Sequence, residues 1–167
     1  MNDRQDRCCS FKPSIDKNCR ILILGSMPGV ASLQKQQYYA FKYNAFWRIM
    51  ADIYGVSADL PYDERLKLLC HNGVALWDVC GDCRRTGSLD SNIRQALPND
   101  IAGLLNKYPN VRKICCNGTA AGKYLHKFFP HLQVPIIILP STSPAAAALP
   151  YSAKLQLWRN GTAYQID

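Results

Sequence analysis

The stretch ILILGSMPGVASLQKQQYYAFKYNAFWRIM, residues 21–50, decides how the rest of the chain is read. It opens as an apolar run and breaks sharply at Gly25-Ser26-Met27-Pro28-Gly29. A polar and aromatic loop follows, and then a helix in which Phe46, Ile49, Met50 and Ile53 recur at helical spacing. A strand, a tight turn and a helix in that order is how a parallel α/β sheet builds a ligand site at the carboxyl end of a strand. Asn44, just before the helix, reads first as an N-cap.

Three further apolar runs complete the pattern: Gly73 to Val79, Val111 to Cys116 and Val134 to Leu139. Helical segments separate them. Pro61 to His71 carries Leu66, Leu69 and Cys70 on one side, Pro98 to Tyr108 carries Ile101, Leu104 and Leu105, and an amphipathic helix runs from the third strand to Phe129. SNIRQAL, residues 91–97, also reads as helical, with CGDCRRTGSLD before it as a loop. Leu149 to Ile166 is a short final segment anchored by Trp158. The order βαβαβαβ predicts one α/β domain over residues 1–167, with a central four-stranded parallel sheet and helices on both faces. Residues 1–18 are a polar lead-in that covers a sheet edge at most.

A chain of 167 residues is large enough to bury a core without disulfides. Its formal charge of +8 suits either a polyanionic partner or simple solubility. The eight cysteines are expected to be free thiols. No apolar signal core precedes them and no stretch is long enough to span a bilayer, which implies the reducing cytoplasm. Only Cys80 and Cys83 have CxxC spacing, so neither a structural metal nor a cofactor is expected. Cys115 and Cys116 read as small core residues.

The strand ends place Gly25, Ser26, Asp78, Asn117, Gly118 and Ser141 to Ser143 along one edge. GSMPG is neither a dinucleotide loop nor a phosphate loop, and GxSxG and HExxH are absent. Chemistry at this edge would rest on amides, hydroxyls, backbone N–H groups and a carboxylate, which suits positioning and electrostatics better than a strong nucleophile. Each group has a plain structural use as well. Ser143 before Pro144 caps a helix, Asp78 bonds loop amides, Asp90 caps SNIRQAL, and Tyr38, Tyr39 and Phe41 pack under the loop.

Taken together, GSMPGVAS at 25–32, QYYAFKYNAFW at 37–47, LWDVCGDCRRTGSLDSNI at 76–93 and LPSTSPAAA at 139–147 resemble the uracil-DNA glycosylase superfamily. The match is nearest to its hypoxanthine-DNA (deoxyinosine) glycosylase branch. The resemblance implies a three-layer α/β/α enzyme that flips a deaminated base from DNA and hydrolyses its N-glycosidic bond. Asn44 would be the catalytic side chain, orienting water toward an oxocarbenium-like sugar. Gly25, Ser26, Met27 and Tyr39 would hold the base, and Ser141, Thr142, Ser143, Arg84 and Arg85 would contact DNA. Phe41-Lys42 replaces the His-Pro usual in relatives, and an Ala run follows Pro144. No lysine is placed for Schiff-base chemistry, so a monofunctional, monomeric enzyme is implied. A uracil or mismatch glycosylase, or a non-catalytic nucleic-acid-binding domain of the same fold, is the alternative.

Overall fold

In the computed structural model, residues 7–163 are described; residues 1–6 of the lead-in and 164–167 of the last segment lie outside them. Four parallel strands form the centre: β2 (Ile21–Gly25), β3 (Val74–Asp78), β6 (Lys113–Asn117) and β7 (Ile136–Leu139). Their spatial order is β3-β2-β6-β7. The register brings Gly25 beside Asp78 and Asn117 beside Leu139, so the carboxyl ends finish level.

Every residue of β2 is buried because both faces are covered. Ile21 and Ile23 pack with Phe46, Ile49 and Met50 of α2 (Phe46–Tyr54), Leu69 of α3 (Tyr62–His71) and Trp158 of α6 (Tyr151–Gly161). Leu22 and Leu24 face the other way, against Ile101 and Leu104 of α4 (Ile101–Lys107) and Ala121 and Leu125 of α5 (Thr119–Phe128). This is the expected three-layer arrangement. Cys115 and Cys116, buried on opposite faces of β6, fill it as small apolar residues. At the sheet edge, Ile136, Ile137 and Ile138 of β7 remain exposed.

Four segments depart from expectation. The 91–97 stretch is not a helix: Asp90–Asn92 forms one 3-10 turn and Arg94–Pro98 is a strand, β5. Ile93, Ala96 and Leu97 imitate helical spacing, but Ile93 is buried while Leu97 is 55% exposed, so no apolar helix face exists. The presumed loop before it contains β4 (Cys80–Arg84), and the lead-in contributes β1 (Arg7–Cys9). These strands pair antiparallel in the order β1-β4-β5, and interstrand bonds satisfy the backbone that a helix would otherwise have satisfied internally. Cys80, Cys83, Ile93 and Met27 form its small core. Burial pushes the Cys80 thiol up to about 12, so this CxxC pair stays protonated and unreactive at neutral pH. Finally, the loop after Gly29 begins with a short helix, α1 (Val30–Lys35). It lacks an apolar face; its one buried residue is Ser32, whose hydroxyl accepts from the Ala40 N–H at 3.1 Å.

Candidate active site

A cavity of about 470 Å³ opens at the carboxyl edge of the parallel sheet. That lies within the roughly 300–1,000 Å³ of small-molecule sites. Gly25, Ser26 and Met27 line it from the turn, Tyr39 and Asn44 from the aromatic loop, and Ser141, Thr142 and Ser143 from the segment after β7. Three separate stretches of the chain thus meet because the strands end level.

Asn44 does two things. Its Oδ1 accepts from the Phe46 N–H at 2.9 Å, so it satisfies a first-turn amide of α2 from one residue ahead of the N-cap, Ala45, while the residue also lines the cavity. Its neighbour Ala45 donates to the Thr142 carbonyl at 3.0 Å, tying the loop to the 141–143 segment. That segment is fixed in turn by Asn117. Asn117 Nδ2 donates to Thr142 Oγ1 and its Oδ1 accepts from the Thr142 N–H, both at 2.9 Å. Thr142 is therefore buried and engaged in structure, while Ser141 and Ser143 are half-exposed. Gly118, at φ 94°, lets the chain pass, since a Cβ there would sit 3.1 Å from that of Ser141.

The opposite wall is ionisable. Asp78 is buried, and its Oδ2 has no hydrogen-bond partner among the described residues. Burial foremost, then the Asp90 carboxylate, raises its pKa to about 7 against the opposing pull of Arg85. Glycine at position 25 is required by this carboxyl group, because a Cβ there would lie 2.5 Å from Asp78 Oδ1. Asp90, at the exposed rim, accepts from the Ser26 hydroxyl at 2.5 Å and so pins the turn. Tyr39 takes φ +54° and stacks on Phe46 at 3.9 Å between ring centroids. Its hydroxyl has no partner of good hydrogen-bond geometry, although Asn117 is near enough to oppose the rise in pKa that burial and Asp78 impose.

Two of the expected DNA contacts are not at the cavity. Arg85 is only 4% exposed, and its guanidinium donates to the Pro28 carbonyl, bracing the turn from behind. It cannot reach a phosphate from there, which corrects the expectation. Arg84 sits in β4 with Arg7 and Arg94 as its cross-strand partners, so three arginines stand side by side across the small sheet. Asp78, Asp90 and Asn117 complete the cavity; the strand-end reading put Asp78 and Asn117 on this edge, while the family motifs gave none of the three a role. Their signal was position: Asp78 and Asn117 are the last residues of their strands.

Fold and cavity define an α/β/α protein with a mixed amide and carboxyl pocket at its sheet's carboxyl edge. The chain belongs to the uracil DNA glycosylase superfamily, whose family model matches residues 13–160. It is 41% identical over 136 residues to a protein of Methanosarcina acetivorans named hypoxanthine DNA glycosylase, a match covering 81% of this chain and 85% of that one. A Methanosarcina barkeri protein of the same name is 39% identical over 115 residues, 68% of this chain and 73% of the relative. A solution NMR structure of a candidate uracil DNA glycosylase from Methanosarcina acetivorans superposes with a TM-score of 0.76. It shares 37% identity and covers 92% of this chain and 98% of that one.

Proposed function

We propose that this chain is a monofunctional DNA glycosylase, acting as a cytoplasmic monomer on DNA that carries a deaminated base, hypoxanthine foremost. The observation that carries this reading is the meeting of Asn44 and Asp78 in one cavity, in a chain of this family. Hypoxanthine flipped into the cavity offers N7 and O6 as acceptors. The protonated form of Asp78 donates to one of them, while the amides of the 25–27 turn assist. The C1′–N9 bond breaks, its electron pair leaves with the purine, and the proton from Asp78 neutralises that base. Asn44 Oδ1 keeps a second lone pair beside its Phe46 bond and uses it to orient a water. The water oxygen bonds C1′ and its proton passes to solvent, leaving an abasic site.

None of the described residues lining the cavity is a lysine, so no Schiff base forms and the strand stays intact. At the mouth, Phe41 is 46% exposed and Tyr43 65%, their rings 5.6 Å apart edge to face with Lys42 over Tyr43. Such a tip suits a gap left by a flipped nucleotide. Arg7, Arg84 and Arg94 extend the basic surface along the duplex. The test is incubation with duplexes bearing one deoxyinosine, uracil or xanthine, followed by alkali to reveal abasic sites. Strongest product from deoxyinosine is expected; DNA binding with no product from any substrate overturns the reading in favour of a binding module.

A further inference from the structure

At the amino ends of the strands, away from the cavity, Asp16, Cys19 and Cys70 converge. One ligand atom from each lies within 4.8 Å of the others. Cys19 lies two residues before β2, and Cys70 is the last residue but one of α3, four residues before β3. Both thiols are buried and no disulfide joins them. Asp16 is held in place locally: its Oδ1 accepts from the Asn18 N–H at 2.8 Å and from the Cys19 thiol at 3.5 Å. Ser14 Oγ lies 3.9 Å from Cys70 Sγ.

We propose that Asp16, Cys19 and Cys70 bind one Zn²⁺, clamping the segment before β2 to the end of α3. Two thiolates and a carboxylate are a zinc donor set. Sulfur ligands at about 2.3 Å around a tetrahedral ion stand about 3.8 Å apart, so the cluster contracts by about 1 Å at most. A cavity beside the cluster, lined by Asp16 and Cys70, also holds His71 and Lys67. A water takes the fourth position, and Lys67 balances the single negative charge that two thiolates, one carboxylate and Zn²⁺ leave. Binding exchanges two thiol protons for the metal, and no electron moves. Ligand spacing along the chain gave no hint of this site, because its two cysteines belong to segments that meet only in the fold.

The test uses full-length protein stripped of metal by a chelator and kept reduced. Titration with Co²⁺ is expected to give one ion per chain with a thiolate charge-transfer band, displaced by Zn²⁺, and Zn²⁺ is expected to raise the thermal midpoint. Cys70→Ser and Cys19→Ser abolish both effects, Asp16→Asn weakens uptake, and Cys9→Ser, an exposed cysteine outside the cluster, changes neither. Absence of the band in reduced wild-type protein overturns the proposal, whatever the variants do. So does a band that survives in the Cys19→Ser/Cys70→Ser double variant. Recovery of a Cys19–Cys70 disulfide from protein that takes up no metal when reduced also overturns it.

Discussion

The two walls of the pocket treat their polar groups differently. On one wall Asn44, Asn117 and Thr142 bond one another's segments, and every group is neutral. On the other, Asp78 and Asp90 are ionisable, with Arg85 buried behind the turn, and Asp78 Oδ2 and two guanidinium nitrogens of Arg85 have no hydrogen-bond partner among the described residues. Neutral, satisfied groups fix geometry independently of pH. Buried ionisable groups cost stability and are retained where a proton must move. In the proposed reaction the first wall aims water at the sugar and the second protonates the base. The contrast breaks if both walls respond alike to substitution.

The largest effect is expected at the neutral wall. Asn44→Ala should lower single-turnover cleavage of deoxyinosine by about 10²–10⁴-fold, the range for a positioned group that acts on the nucleophile. It should also cost about 0.5–2 kcal/mol through the lost cap. Asn44→Ser separates the two roles, since serine caps but does not reach as far. Activity lost with the thermal midpoint kept is the expected result, and near-wild-type cleavage by either variant would remove Asn44 from the chemistry.

Gly25→Ala tests the contact between turn and carboxyl group. The added methyl would stand 2.5 Å from Asp78 Oδ1 and 3.3 Å from the Tyr39 hydroxyl, so the carboxyl must move. A displacement near 1 Å costs about 10²-fold in rate, with little change in fold because the turn keeps its other anchor through Ser26 and Asp90.

Asp78→Asn should act through pH. If Asp78 donates its proton, wild-type cleavage falls about tenfold per pH unit above pH 7, and the variant's profile loses that limb. Stability also falls with rising pH, over a lower range. Unfolded, Asp78 releases its proton near 3.8; folded, near 7. Between those values the folded state holds the extra proton, so stability falls as pH rises through the window and is flat above it. Removing the charge should therefore stabilise the protein at pH 8. A difference of about three pKa units sets a ceiling of about 4 kcal/mol, readable by denaturant unfolding at pH 5 and pH 8.

The same two walls show what a sequence reveals. Asn44, the 25–27 turn and the 141–143 segment are contiguous motifs, each with local backbone demands, and they were legible. So were the four parallel strands, whose unbroken apolar runs report burial on both faces. Of the ionisable wall, only the place of Asp78 at its strand end was legible. Arg84 and Arg85 look equivalent in sequence, yet strand alternation sends one into the arginine row of the small sheet and buries the other behind Pro28. The small sheet itself was missed because its strands are short and barely apolar. Residues 94–98 are extended because they pair with β4, whose other edge is in turn paired by β1, some seventy residues earlier.

That sheet supplies the smallest expected effect. An exposed cation that contacts a phosphate releases a counterion, and its removal lowers the slope of log K against log salt by about 1 without changing which base is preferred. Arg94 is exposed on β5, next to Arg84, and its guanidinium donates to the Ser91 carbonyl at 2.7 Å and the Ile93 carbonyl at 2.9 Å. It is thus held at the surface, beside the loop that carries Asp90. Arg94→Ala should weaken binding of abasic duplex by a few-fold at low salt, with the reduced slope as its signature and with deoxyinosine cleavage at saturating enzyme unchanged. Arg85→Lys should give the converse, an unaltered slope with a shifted pH profile, because a buried cation exchanges no counterions with DNA, while the shorter lysine moves the charge that opposes the raised pKa of Asp78. If instead Arg85→Lys changes the slope and Arg94→Ala does not, the small sheet faces away from DNA and the basic surface lies elsewhere.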